Sequence, residues 1–205
     1  MTPDEIEGLS FSIIDKEAGQ HPFSNEQWQI VRRMIHTSAD FEYIKNIRFH
    51  DMAVENGLAA IRSGTTIVTD TEMARTGIRK KELADFGCRV ECFINDPEVV
   101  KKAQLEKSTR AKAAVDAAIN LTGAGIYVVG NAPTSLMRLL ELVRQGKAAP
   151  ALVIGLPVGF VNAAESKAML IETDLPFISN IGRKGGSNLA AAVVNALAIM
   201  AVNPV

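Results

Sequence analysis

From Tyr43 onward, short runs of β-branched and apolar residues alternate with longer amphipathic stretches, and this alternation constrains the fold more than any other feature. The runs are Ile44 to Phe49, Thr65 to Thr69, Cys88 to Ile94, Ile126 to Val129, Ala151 to Leu156 and Phe177 to Ile181. Between them lie Asp51 to Arg62, Glu98 to Leu121, Ser135 to Gln145, Ala164 to Ile171 and Asn188 to Val202. Parallel strands need crossover connections, so strand-length runs separated by helix-length stretches specify a three-layer α/β/α arrangement with a mostly parallel sheet. The later runs are continuously apolar, as strands covered on both faces must be.

Two helices precede this pattern. Thr2-Pro3-Asp4-Glu5 joins a capping residue, a proline at the first helical position and acids in the first turn, and starts a helix that runs to Gly19. Ser24-Asn25-Glu26-Gln27 is a capping box. Trp28, Val31, Met34 and Ile35 after it share one helical face, and the helix ends near Thr37 with His36 in its last turn. At 205 residues and 47% hydrophobic, the chain can bury one substantial core, and no repeat or linker divides it, so a single domain over residues 1–205 is expected.

A formal net charge of -1 gives no overall attraction to nucleic acid or to an acidic membrane. Acids alternate with apolar residues from Met1 to Gly19, unlike a secretory leader, and a cytoplasmic location is expected. Leu189 to Val202 is interrupted by Asn195 and is shorter than the ~20 residues of a membrane helix, so it reads as a buried helix. Cys88 and Cys92 are expected to be buried, inert thiols, too far apart along one strand for a disulfide. No metal site is expected, because His21, His36 and His50 lack paired spacing.

In a doubly wound sheet, ligands bind beyond the carboxyl ends of the strands. Three loops at that edge are rich in glycine, proline and small polar residues: Gly130 to Thr134, Gly155 to Asn162 and Gly182 to Ser187, with Thr69-Asp70 ending another strand there. Exposed backbone N–H groups make such loops anion sites, and Arg183 and Lys184 add side-chain charge. The plainer alternative is that the glycines only turn the chain. Neither a dinucleotide fingerprint nor a phosphate-binding P-loop is present, so a polycarboxylate suits the loops better than a nucleotide.

His36 is the candidate for acid–base work, since histidine titrates near neutrality and a helix C-terminus favours a cation, although Arg32 on the same face opposes this. Its alternative is a half-exposed helix-end residue. His21, His50, Arg33 and Arg48 read as surface residues, and Arg110 is left open between solvent and a ligand edge. Glu165 and Lys167 read as a solvated helix pair, Asp70 as a turn former.

Arg32-Arg-Met-Ile-His-Thr-Ser-Ala-Asp-Phe41, Gly130-Asn-Ala-Pro-Thr-Ser-Leu136, Gly155-Leu-Pro-Val-Gly-Phe-Val-Asn-Ala-Ala-Glu-Ser-Lys167 and Gly182-Arg-Lys-Gly-Gly-Ser187 together resemble the precorrin-8X methylmutase family. The likeness covers nearly the whole chain, in order. It implies a flavodoxin-like fold, a homodimer and a sigmatropic shift of a methyl group from C-11 to C-12 of a polycarboxylated tetrapyrrole. The product is hydrogenobyrinic acid or its cobalt-containing equivalent, and no redox or nucleotide cofactor is implied. Motif matching makes His36 the catalytic residue, with Thr37 and Asp40 lining or bracing the site. Gly130, Asn131, Ala132, Thr134, Gly159, Arg183, Lys184, Gly185, Gly186 and Ser187 would hold the substrate's acid side chains, joined by Arg32, Asp70 and Arg110. The apolar final helix is expected to help cover the dimer partner. The competing expectations are a corrinoid carrier without turnover and a flavin or nucleotide enzyme on a similar sheet.

Overall fold

The computed structural model describes residues 1–122 and 125–203. Helices α1 (Pro3–Ala18), α2 (Asn25–Ser38) and α3 (Tyr43–Asn46) lead into strand β1 (Ile47–Phe49) and helix α4 (Ala53–Arg62). Then follow β2 (Thr66–Thr69), α5 (Glu72–Gly77), α6 (Lys80–Ala84), β3 (Arg89–Glu91), α7 (Pro97–Leu105) and α8 (Arg110–Thr122). The chain continues through β4 (Ile126–Val129), α9 (Pro133–Arg144), β5 (Leu152–Gly155), α10 (Ala163–Ile171), β6 (Phe177–Asn180) and α11 (Ser187–Val202).

The strands form one sheet in the order β1-β6-β5-β4-β2-β3, parallel except for β1, whose Ile47 and Phe49 lie opposite Asn180 and Ile178 in antiparallel register. Without β1 the order is that of flavodoxin-like sheets, second, first, third, fourth, fifth, which bears out the three-layer α/β/α expectation. Alternation divides the core. Ile67, Ile126, Val128, Leu152, Ile154 and Ile178 face α2, α4 and α11, whereas Val68, Tyr127, Val129, Val153 and Phe177 face α8, α9 and α10.

Helix α11 is buried on nearly every side, as a helix apolar all round must be. It lies between the sheet and α2, whose Ile30, Val31, Met34 and Ile35 are fully covered, and α4 and α5 pack beside it. The final helix is therefore an internal layer of the protomer. Most of its apolar surface is spent inside the protomer, with Asn188, Asn195, Ile199 and Val202 the positions that stay partly exposed. Helix α1 packs outside α2 through Ile14 and leaves Ile6, Leu9 and Ile13 about half exposed.

Four local expectations are corrected. The run from Ile44 begins with the turn of helix α3, leaving only Ile47–Phe49 as strand. The run from Cys88 yields only Arg89–Glu91 at the sheet edge, so both cysteines are half-buried rather than buried. The stretch from Glu98 is two helices: Lys107 takes a left-handed φ of 49°, and the Thr109 hydroxyl accepts the Lys112 N–H to cap α8. Helices α5 and α6, absent from the sequence reading, occupy the segment after Asp70, with Thr71 capping α5.

Candidate functional site

At the switch point between β2 and β4 the chain leaves toward opposite faces, and a crevice there is the usual ligand position. Here it is closed by the protein's own carboxylate. Asp70, buried at the end of β2, accepts the Gly130 N–H at 2.9 Å on Oδ1 and those of Asn131 and Ala132 at 2.8 and 2.7 Å on Oδ2. Burial pushes its carboxyl above the usual range, and the three amides pull it back part of the way. Gly130 is needed because a Cβ there would come 2.6 Å from the Ser187 Cα. Ser187 is itself buried, its hydroxyl 2.8 Å from that of Thr71.

The expectation that the backbone donors of Gly130, Asn131 and Ala132 hold a substrate carboxylate is corrected accordingly. Asp70 already holds them, and it braces the loop from inside.

At the opposite end of the edge, Lys167 is fully buried, correcting its reading as a solvated residue. Its Nζ donates to the Lys184 carbonyl at 2.6 Å and to Asn180 Oδ1 at 3.2 Å, both neutral oxygens. Asn180 Nδ2 donates to the same Lys184 carbonyl at 2.9 Å and to that of Ile181 at 3.0 Å. Burial alone pulls the Lys167 ammonium down to about 8. The 182–186 loop also interlocks with the loop after β5. Gly186 N–H donates to the Leu156 carbonyl at 2.9 Å and Gly159 N–H to that of Arg183 at 3.3 Å, while a Cβ on Gly185 would come 2.3 Å from the Leu156 oxygen.

From this braced loop the Lys184 side chain reaches the end of α2. It pairs with Asp40 and, at 2.8 Å, with Glu42; these two carboxylates push its ammonium above the usual range, and Lys184 holds the Asp40 carboxyl below its own. Asp40 also accepts the Glu42 N–H at 2.9 Å. The left-handed Ala39, φ 53°, ends α2 and turns the chain toward the loop.

His36 and Thr37 stand exposed in the last turn of α2. The His36 ring meets the edge of Phe11 at 5.2 Å and lines a groove of about 220 Å³ with Ile13, Ile14, Ile35, Ala39 and Phe41. Arg32 lies over the same Phe11 ring at 4.4 Å and is paired with Asp15 at 2.9 Å. His36, Thr37, Arg32, Asp40 and Lys184 thus share one corner of the molecule. Arg183 lies 5.6 Å from the ring of Phe160, which is 86% exposed beside Gly159.

Thr134 and Arg110 belong to the other corner. The Thr109 hydroxyl donates to that of Thr134 at 3.1 Å, and Arg110 reaches Asn95 at 3.4 Å. Among the described residues, no hydrogen bond or ion pair joins either to His36.

The sequence reading missed Lys167, Asn180 and Phe160. Lys167 had a signal: it falls four residues after Ala163 and three before Leu170, on the buried face of α10. Among the described residues no group of histidine, cysteine and acid side chains is arranged to hold a metal ion. No described helix is long and apolar enough to cross a membrane.

Sheet order, a closed switch point and a charged, histidine-bearing corner at the end of α2 define a flavodoxin-like α/β protein. The precorrin-8X methylmutase family model matches residues 5–200. The chain is 47% identical over 199 residues to a cobalt-precorrin-8 methylmutase of Priestia megaterium, covering 97% of this chain and 88% of that one. It is 38% identical over 191 residues to a precorrin-8X methylmutase of a Sinorhizobium species, covering 92% and 90%. The crystal structure of precorrin-8x methyl mutase from Thermus thermophilus superposes with a TM-score of 0.89 at 48% identity, covering 97% of this chain and 98% of that one. The chain belongs to the precorrin-8X methylmutase family, isomerases of cobalamin biosynthesis.

Proposed function

We propose that the chain moves a methyl group from C-11 to C-12 of precorrin-8X or its cobalt form, with His36 as the proton donor. The observation that carries this is the placement of His36. It is exposed on an apolar groove, one turn before the Asp40–Lys184 link to the charged 182–186 loop.

The shift breaks one carbon–carbon bond and forms another within a conjugated ring, so it consumes no electrons and needs no nucleophile. Protonating or hydrogen-bonding a ring nitrogen populates the tautomer from which the methyl group migrates. A ring laid on Ile13 and Phe41 in that groove would present its nitrogens to His36. With the Gly130–Ala132 amides taken by Asp70, Lys184 paired with Asp40 and Glu42, and Arg32 with Asp15, Arg183 is the cation on that side best placed to meet the ring's acid groups. Thr134 and Arg110 lie at the far rim of the same edge.

The working assembly in this reading is a homodimer in the cytoplasm. Its support is the half-exposed stripe of Ile6, Leu9 and Ile13 on α1, one side of the His36 groove, which a second copy would cover. Sedimentation at micromolar concentration giving only the 22.1 kDa monomer would overturn the dimer.

The test of function is to incubate the protein with precorrin-8 and, separately, with its cobalt form, following the visible spectrum. Conversion of either to the corrin chromophore supports the reading. Tight binding without conversion would make the chain a carrier.

A further inference from the structure

We propose that Lys167 is a positioning residue for this reaction: gripping the Lys184 carbonyl from inside the protein, it sets the 182–186 loop so that Arg183 meets the substrate's carboxylates. The inference rests on the reading that this loop binds those carboxylates.

A fully buried ammonium with only neutral partners is costly, because desolvation is not offset by an opposite charge. An apolar side chain of the same length would fill the space without that cost. Packing therefore does not explain a lysine here. What the ammonium does, and an alkyl chain cannot, is hold an oxygen at 2.6 Å. The oxygen it holds belongs to the residue whose side chain crosses to Asp40 and Glu42. Position 184 is thus fixed by its carbonyl on the inside and by its side chain on the outside, one turn beyond His36. The Asn180 amide grips the same carbonyl but cannot replace the charge.

Among the described residues, no carboxylate pairs with Lys167. Glu165 lies two residues away on α10, about 200° round the helix, and Arg183 and Lys184 are cations of the loop itself. Asp40 and Glu42 are engaged by the Lys184 side chain. On α9, Arg138, Glu141 and Arg144 line a groove with Met169, also about 200° round α10 from Lys167.

The test compares Lys167→Met, Arg183→Ala and the unmodified protein, measuring thermal midpoint, kcat, KM and the affinity for hydrogenobyrinic acid. For Lys167→Met the expected result is an unchanged or higher midpoint, kcat within about threefold, and KM and product Kd raised roughly tenfold, the size of a lost charge-assisted hydrogen bond. Lys167→Gln, which can still donate an N–H, should recover part of that loss. In the unmodified protein, product affinity should weaken as pH rises through about 8, where Lys167 loses its charge, while the ligand's carboxylates stay ionised. Unchanged affinity in Lys167→Met, alongside weakened binding in Arg183→Ala, would overturn the role of Lys167 and keep the loop as the carboxylate site. Unchanged affinity in Arg183→Ala as well would overturn the loop reading itself. A lower midpoint with normal affinity would make Lys167 a structural residue. If Lys167→Met does not fold, the unmodified protein decides: affinity that is flat from about pH 7 to 9.5 overturns the proposal.

Discussion

Asp70 and Lys167 are both buried, ionisable and placed at the carboxyl edge of one sheet, yet the regions around them are built in opposite senses. At the Asp70 end an acid gathers three backbone donors, which closes the switch point and leaves nothing for a ligand to take. At the Lys167 end a base gathers an acceptor from the back of a loop, whose Lys184 side chain crosses to Asp40 while Arg183 stays exposed. The difference teaches where recognition moves when loop amides are satisfied internally. In the function proposed above it passes from backbone to side chains, and from the centre of the sheet edge toward the end of α2.

The chemistry belongs to neither brace, so removing His36 should exceed any change at either end. His36→Ala is expected to lower kcat by ~10²–10⁴-fold or more while leaving the fold and most product affinity intact. His36→Asn separates transfer from hydrogen bonding: near-normal turnover in that variant would show that a donated hydrogen bond suffices. Full activity in the alanine variant would remove His36 from the mechanism.

The next effect separates the two ends by stability. Asp70→Ala leaves the buried Gly130 N–H and the part-buried Asn131 and Ala132 N–H groups without their acceptor and should cost about 2 kcal/mol or more in denaturant unfolding. An equal loss in Lys167→Met would mean that the two braces are equivalent, and the contrast would fail.

Protonation sharpens the contrast further. The folded-state value of Lys167, about 8, lies below its ordinary 10.5, so between these values the unfolded chain holds more protons than the folded one. Stability relative to Lys167→Met should therefore rise as pH increases from about 8 toward 10, by at most roughly 3 kcal/mol. Ligand affinity should fall over the same range. Urea titrations at pH 7.5 and 9.5 that show no such divergence would remove Lys167's charge from the account. The smallest effect is at the rim: Arg183→Ala should weaken hydrogenobyrinic acid binding roughly threefold at low salt and less at high salt.

The sheet was legible because strands buried on both faces read as continuous apolar runs, and Ile126–Val129 and Leu152–Gly155 lie where those runs predict. Its edges were less legible. A three-residue strand such as Arg89–Glu91 has too little pattern to mark its ends, and β1 owes its place to pairing with β6, which local sequence does not encode. The site divides in the same way. His36 was found through its chemistry and helix-end position as well as motif likeness, Asp40 through motif likeness alone, and the structure puts them in one corner with Lys184. The glycine loops were recognised, but their amides were assigned to a ligand because the partner of Gly130 lies sixty residues earlier in the chain, at Asp70. Lys167 was missed because charge was taken to mean solvent, although its spacing to Ala163 and Leu170 placed it on a buried face.

The internal position of α11 bears on how the molecule is made. Its partner α2 lies more than a hundred residues earlier, and although α1 and α3 cover part of α2, its largest packing surface stays open until α11 arrives. During vectorial synthesis the strands can begin to pair while that surface of α2 still faces the surrounding water. Such a late keystone makes the nascent chain vulnerable to aggregation until about residue 202 has left the ribosome. It also places the cooperative closing step of folding at the longest sequence separation in the fold, where loop closure is slowest.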